Sequence, residues 1–152
     1  MRMSHIGIRV SDWARSLRFY HDALGFRFVG EDRLGAESAA PLFGAASPVR
    51  VGWLEREGVR IQLLELPAAG PAPGGARESA LPGSAPSPFD RFGPTHLALR
   101  VADLDAVLRE LGAQGVPVLE QTRSARPELR ARSVFVTDPD GAWIELAEQP
   151  GD

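Results

Sequence analysis

The stretch HIGIRVSD at residues 5–12 recurs later in the chain as HLALRVAD at residues 96–103. His, Arg, Val and Asp stand at the same places in both copies, and the other positions exchange one small or aliphatic residue for another. Because side chains alternate between the two faces of a strand, each stretch predicts a strand with one apolar face. A repeat of this kind indicates two copies of one supersecondary unit.

Each copy is followed by the same series of predicted elements. Apolar residues at three- and four-residue spacing predict a helix after Asp12 and another after Asp103. A short strand and a closing hairpin complete each unit, with the turns at Glu57-Gly58 and within DPDG at 138–141. The predicted order is β-α-β-β-β, written twice, which places the chain in the α+β class.

Two segments between these elements lack a strong pattern. Residues 67–93 are rich in Pro, Gly and Ala, a composition that buries too little apolar surface to offset the entropy of ordering. We therefore expect a flexible linker or partly ordered flap there, and a second loop at residues 33–49. The expected organisation is one domain over residues 1–152, with module one at 1–66, the linker at 67–93 and module two at 94–149.

Composition excludes several kinds of chemistry and partner. The chain has 152 residues, 43% of them hydrophobic, and a formal net charge of −3, so we expect no nucleic acid and no membrane as partners. There is no secretory pattern and no bilayer-length apolar run, and we expect a cytoplasmic protein. Cysteine is absent and all 17 basic residues are Arg, which excludes thiolate nucleophiles and lysine Schiff bases.

The alternation of the repeated strand separates its functional candidates from its core. Ile6, Ile8 and Val10 share the face that the following helix can cover, so His5 and Arg9 lie on the opposite face. The second copy repeats this arrangement, with His96 and Arg100 on the face away from the helix. These two histidines are therefore expected at equivalent places.

The closing strands are predicted to supply two carboxylates on the same face as the histidines. In the second unit Ile144 and Leu146 are assigned to the helix side, which leaves Trp143 and Glu145 facing away. In the first unit Leu64 and Leu66 are assigned to the helix side, leaving Leu63 and Glu65. If the modules curl around one cavity, the four side chains make an N2O2 set for one divalent ion, Zn, Ni, Co, Mn or Fe. The predicted metal ligands are His5, Glu65, His96 and Glu145.

These features resemble the vicinal oxygen chelate superfamily, which contains glyoxalase I, methylmalonyl-CoA epimerase, extradiol dioxygenases and bleomycin-resistance proteins. HIGIRVSDWARSLRFYHDALGF at residues 5–26 looks like the opening of glyoxalases and epimerases, and DPDGAWIEL at 138–146 looks like their closing strand. The resemblance implies two tandem modules forming a curved mixed sheet around a metal-binding cavity. It matches the same four residues to the ligands of a glyoxalase I-like site.

Carried over by position, the resemblance also suggests substrate contacts. Arg9 matches an arginine that helps to bind the glutathione carboxylate in bacterial glyoxalase I, and Arg100 is its repeat counterpart. Epimerases of this kind have Gln at the position matched to Glu65, and this chain is expected to depart from them there. Independently of the resemblance, three aromatic residues could line a cavity for a flat ligand: Trp53, Phe135 and Trp143.

The leading functional hypothesis is a metal-dependent lyase or isomerase acting on a small substrate with neighbouring oxygens, such as a hemithioacetal. The metal would stabilise the charge of an enediolate, while Glu145 or Glu65 moves the proton. One alternative is an extradiol ring-cleaving dioxygenase that uses Fe(II). Another is a binding protein that sequesters a drug or metabolite. Because modules of this kind leave open sheet edges, we expect a homodimer.

Overall fold

The computed structural model of the chain describes residues 2–43, 47–66, 89 and 92–150. The chain divides into two compact units, of which the first ends at Gly74 and the second begins at Gly75. The first unit contains β1 (Ile6–Val10), α1 (Trp13–Leu17), a π-helical segment (Arg18–Ala23), β2 (Arg27–Leu34), α2 (Ala36–Phe43), β3 (Val49–Arg56) and β4 (Val59–Glu65). The second contains β5 (His96–Val101), α3 (Leu104–Ala113), β6 (Val118–Arg126), a 3₁₀ turn (Pro127–Leu129), β7 (Ala131–Thr137) and β8 (Trp143–Glu148).

Each unit forms its own four-stranded mixed sheet. The strand order is β1-β4-β3-β2 in the first sheet and β5-β8-β7-β6 in the second. In both, the first strand pairs in parallel with the last, and the other pairings are antiparallel. The repeated β-α-β-β-β order and the α+β class are therefore confirmed. The single domain with its predicted boundaries and the one cavity stay predictions.

The two helices predicted from the sequence, α1 and α3, begin where their caps indicate. Asp12 Oδ1 accepts a hydrogen bond from the backbone N–H of Arg15 at 2.9 Å, and Asp103 Oδ1 accepts one from Ala106 at 2.8 Å. These N-cap bonds satisfy donors that have no partner within the helix. The first helix passes into the π-helical segment, after which Gly25 reverses the chain with a φ of +69°. A residue with a Cβ is strained in that left-handed conformation.

The helix side of the first sheet is a close-packed apolar layer. Leu54, Ile61 and Leu63 are fully buried on this face. The indole ring of Trp13 lies directly on Gly52, so closely that a Cβ at position 52 would overlap the ring. Glycine at this position allows the first residue of α1 to lie against the strand below it.

The segment 33–49 differs from the predicted loop. β2 continues to Leu34, and α2 then brings Ala39 into a small buried cluster with Val49 and Val51. Alanine-rich sequence favours a helix, and the apolar face of α2 covers this end of the sheet. In the predicted linker, residues 67–88, 90 and 91 lie outside the described residues. None of the helices in the described ranges is long and apolar enough to cross a membrane.

Candidate metal and substrate site

The register of the parallel strand pairs determines which residues of the two units are equivalent. In the first unit Gly7 lies opposite Gln62 and Val10 lies opposite Glu65. In the second unit the repeat counterparts of Gly7 and Val10, which are Ala98 and Val101, lie opposite Glu145 and Glu148. Gln62 is therefore the counterpart of Glu145, and Glu65 is the counterpart of Glu148. The predicted equivalence of Glu65 and Glu145 is wrong.

The hydrogen bonds of the two glutamates agree with this register. Glu65 Oε1 accepts the backbone N–H of Trp13 at 2.9 Å, and Glu148 Oε2 accepts the backbone N–H of Leu104 at 2.7 Å. Trp13 and Leu104 are each the first residue of their helix. Both carboxylates thus bind a free N–H at a helix start, a place where negative charge is stabilising.

The helix-side assignment for β4 is consequently wrong by one residue. Glu65 shares a strand face with the buried Ile61 and Leu63, whereas Leu64 lies with Gln62 on the other face. A slip of one residue exchanges the two faces of a strand. The run LLEL at 63–66 is apolar on both faces, so its pattern does not reveal which leucines meet the helix.

In the first unit, the face away from α1 carries His5, Trp53 and Gln62. The His5 ring meets the Trp53 ring edge-on with 5.0 Å between their centroids, and Trp53 lies opposite Gln62 in the β3–β4 pair. Ser4 Oγ lies 3.1 Å from His5 Nδ1. This contact engages one ring nitrogen and leaves Nε2 as the ring nitrogen available to a metal ion.

In the second unit, the corresponding face brings His96 and Glu145 together. His96 Nε2 lies 3.5 Å from Glu145 Oε2, and the two side chains are 24% and 25% exposed. Thr95 Oγ1 lies 2.8 Å from His96 Nδ1, repeating the role of Ser4. Two ligand atoms bound at about 2.1 Å with tetrahedral angles lie roughly 3.4 Å apart. The spacing and the donor types of this pair therefore fit a divalent metal ion.

Aromatic side chains surround His96. The Phe135 ring centroid lies 5.1 Å from the His96 ring and 5.2 Å from the Trp143 ring. Phe89, which is 56% exposed, lies 5.7 Å from His96 and 5.9 Å from Trp143. Phe89 falls in the predicted linker and was not expected at the site. The one feature of the sequence that could have indicated a role for Phe89 is that it is a large aromatic residue within a Pro/Gly/Ala-rich segment.

In each unit, the face of the sheet that lies away from the helix has the same chemical pattern. Each has a histidine preceded by a hydroxyl residue, an oxygen-donor side chain on the closing strand, and an aromatic residue opposite that donor on the neighbouring strand. The donors are the Gln62 amide and the Glu145 carboxylate. Within the described ranges, no three His, Asp or Glu side chains form a cluster that could hold a metal ion. The single ion bound by four side chains stays a prediction.

The two predicted substrate-binding arginines, Arg9 and Arg100, each stand four residues after the histidine of their unit. Arg9 is exposed and lines a pocket of about 570 Å³ in the first unit, together with Arg33 and Arg50. Arg100 is exposed and lies opposite Ala147 in the β5–β8 pair.

The carboxylate at the start of α3 belongs to an ion-pair network. Arg132 donates to Glu148 Oε2 at 2.7 Å and to Asp105 Oδ2 at 2.8 Å. The hydrogen bond from Arg132, together with that from the Leu104 N–H, holds the pKa of Glu148 below its ordinary value. Glu148 is thus a structural anion and not a proton donor near neutral pH.

Residues 2–146 match the family model of the Glyoxalase/Bleomycin resistance protein/Dioxygenase superfamily. The chain belongs to this superfamily. It is also 30% identical over 149 residues to the uncharacterized Escherichia coli (strain K12) protein YaeR, covering 97% of this chain and 96% of that protein.

Solved structures share the fold at low sequence identity. A glyoxalase family protein from Bacillus cereus has a TM-score of 0.75 at 19% identity, over 99% of this chain and 95% of its own. The trypanothione-dependent glyoxalase I of Leishmania major has a TM-score of 0.62 at 22% identity, and the match covers 97% of this chain and 86% of that one. The fosfomycin resistance protein FosX of Listeria monocytogenes has a TM-score of 0.63 at 15% identity, and the match covers 99% of this chain and 94% of that one. The fold is thus shared with a glyoxalase I and with a fosfomycin resistance protein.

Proposed function

We propose that the chain is a metal-dependent lyase or isomerase that acts on a small substrate with oxygens on neighbouring carbons. The observation that carries the proposal is the His96–Glu145 pair, with Nε2 and Oε2 3.5 Å apart in a partly exposed, aromatic setting. A carboxylate and an imidazole in such a setting are costly to desolvate unless a cation binds them. The repeated pattern around His5 supports a matching contribution from the first unit.

The proposed ligands are His5, Gln62, His96 and Glu145, so Gln62 replaces the predicted Glu65. Gln62 has the register position that corresponds to Glu145, and its face is that of His5. Glu65 is instead committed to the helix start, where its carboxylate oxygen accepts the Trp13 N–H. Zn, Co, Ni, Mn and Fe are all compatible with imidazole, carboxylate and amide-oxygen donors.

A bound metal ion supplies Lewis-acid chemistry, which stabilises negative charge as it develops on substrate oxygens. The chain's own residues supply the proton transfer and the surroundings. The Glu145 carboxylate removes a proton from one substrate carbon and returns it to the neighbouring carbon, which isomerises the substrate. Phe135 lies opposite Glu145 in the β7–β8 pair, and its ring together with those of Trp143 and Phe89 makes the surroundings of His96 apolar. Less water around the pair strengthens its interactions during the transfer.

The amide at Gln62 gives support to the isomerase version of this proposal. The resemblance gives epimerases of this kind a glutamine at the ligand position that was matched to Glu65, and the ligand proposed here for that position is Gln62. Because Glu145 is the one carboxylate among the proposed ligands, it is the one ligand carboxylate that can act as the general base for proton transfer. The small-molecule substrate and the homodimer form part of the same proposal.

Metal analysis of the purified protein tests the ligand set. We expect one divalent ion per chain after chelation and reloading, measured by mass spectrometry of dissolved metals. His96→Ala, Glu145→Gln and Gln62→Leu should each lower the metal affinity by tenfold or more, whereas Glu65→Gln should retain it. Loss of metal with Glu65→Gln and retention with Gln62→Leu would restore the set predicted from sequence.

Proton transfer is tested separately from metal binding. The metal-loaded protein should incorporate solvent deuterium into an α-ketoaldehyde–thiol adduct or an α-hydroxyketone, followed by NMR, and Glu145→Gln should abolish the incorporation. Oxygen uptake with catechols and Fe(II), without deuterium exchange, would point instead to the dioxygenase. Tight binding of a flat ligand by the metal-free protein would point to the sequestering protein.

A further inference from the structure

One end of the first sheet carries a cross-strand row with two arginines, whereas the equivalent row of the second sheet has one. Val10, Glu65, Arg50 and Arg33 are successive cross-strand partners on β1, β4, β3 and β2. Arg50 and Arg33 are therefore directly opposite each other in an antiparallel pair. Like charges in such positions are destabilising.

The equivalent row in the second unit is balanced in charge. Val101, Glu148, Arg132 and Ala125 are the corresponding partners. In this row Arg132 forms an ion pair with Glu148, and it also binds Asp105 of α3, while Ala125 stands at the place of Arg33. The fold therefore does not require a second arginine in this row.

The first unit lacks the same compensation. Arg50 pairs with Glu31 at 2.7 Å and stacks over the Trp13 ring, with its guanidinium carbon 4.0 Å from the ring centroid. Glu65 accepts the Trp13 N–H. Among the described residues, no carboxylate forms an ion pair with the side chain of Arg9 or Arg33.

These arginines open onto one cavity. Arg9, Arg33 and Arg50 line the pocket of about 570 Å³, and Glu65 is the one carboxylate that the pocket contains among the described residues. The volume is within the range of small-molecule sites. Guanidinium groups bind the oxygens of carboxylates and phosphates in pairs of parallel hydrogen bonds.

We propose that this pocket is a second binding site, specific for a small dianion such as a phosphate ester or a dicarboxylate. The anion offsets the repulsion between Arg33 and Arg50. It also provides an ion-pair partner for Arg9 and Arg33, which have no carboxylate partner among the described residues. Within the first unit the site is distinct from the proposed ligand His5, because Arg9 is four residues from His5 along the chain, or about 13 Å along the strand. The inference does not depend on the proposed function.

Titration calorimetry at constant ionic strength tests the site with two probes, inorganic phosphate and malonate. We expect saturable binding of at least one probe with one site per chain. The tighter probe identifies the phosphoryl or the dicarboxylate class. Arg33→Gln, at an exposed position, should weaken binding by tenfold or more, and Arg9→Gln should weaken it as well. Arg109→Gln makes the same change of charge on the exposed face of α3 and should leave the affinity unchanged.

The inference would be overturned by the absence of saturable binding of either probe or by full affinity in Arg33→Gln. Equal weakening by Arg109→Gln would also overturn it, because it would indicate an effect of net charge alone. Binding should also persist after chelation and in His96→Ala. Loss of anion binding together with the metal would place the anion at the metal ion. Failure of the metal proposal, in contrast, would leave the anion titration unchanged.

Discussion

The Glu65 carboxylate accepts the first backbone N–H of α1, from Trp13, at 2.9 Å. This bond shows that Glu65 lies on the helix side of its sheet. The alternation of side chains along β4 then assigns the face of every other residue in that strand. It brings Gln62 to the face of His5. The Glu148–Leu104 bond is its counterpart in the second unit.

Removing the Glu65 carboxylate should destabilise the start of α1 without removing metal. Glu65→Ala leaves the Trp13 N–H without its acceptor and should lower the free energy of unfolding by about 1 kcal/mol. Glu65→Gln retains a side-chain oxygen acceptor and should lose less. Urea denaturation of the two variants measures the difference. Equal stability of Glu65→Ala and the unchanged protein would show that the bond contributes nothing.

A methyl group at position 52 should disturb the packing of the same helix. Gly52→Ala forces the Trp13 ring away from β3 and should cost about 1–3 kcal/mol, the usual range for overpacking. Gly30→Ala, on the neighbouring strand, has open space around the added carbon and serves as the control. Thermal unfolding of both variants, together with Trp fluorescence, reports the loss. The contact at Gly52 is refuted if the two substitutions have the same effect.

The hydroxyl beside His96 should tune the metal affinity. Thr95 Oγ1 engages His96 Nδ1 at 2.8 Å, which orients the ring. Thr95→Val should weaken metal binding by about 10–100-fold, the usual effect of removing such a partner. Thr95→Ser retains the hydroxyl and should restore most of the affinity. Competition with a chromogenic chelator measures both, and an unchanged affinity in Thr95→Val would exclude an orienting role.

Stability should fall in acid in part through Glu148. Arg132 holds the pKa of this carboxyl below its ordinary value, so the folded protein favours the charged form more than the unfolded chain does. The resulting stabilisation is present above the unfolded pKa of about 4.5 and is lost as the pH falls through the lower folded value. Glu148→Gln should therefore flatten the decrease of the urea midpoint below pH 5. Glu110→Gln, on the exposed face of α3, is the control and should leave the decrease unchanged.

Much of the architecture followed from the sequence. The repeat of residues 5–12 at 96–103 predicted two β-α-β-β-β units, and the caps at Asp12 and Asp103 predicted the helix starts. Alternation also gave the correct faces of β1, β5 and β8, because in those strands the branched aliphatic side chains all lie on one face. α2 was missed because residues 33–49 lack capping and turn signals strong enough to distinguish a short helix from a loop.

The sequence by itself determined the repeated unit, the helix starts and the histidine of each unit, since these depend on local periodicity and capping. Only the tertiary structure decided which residues of β4 face the helix. The run at residues 61–66 is apolar on both faces, and a strand's pairing register is set by its neighbours and by the helix packed upon it. For that reason Glu65 and Gln62 exchanged their expected roles, and the arginine row at the end of the first sheet became visible only when four strands were aligned.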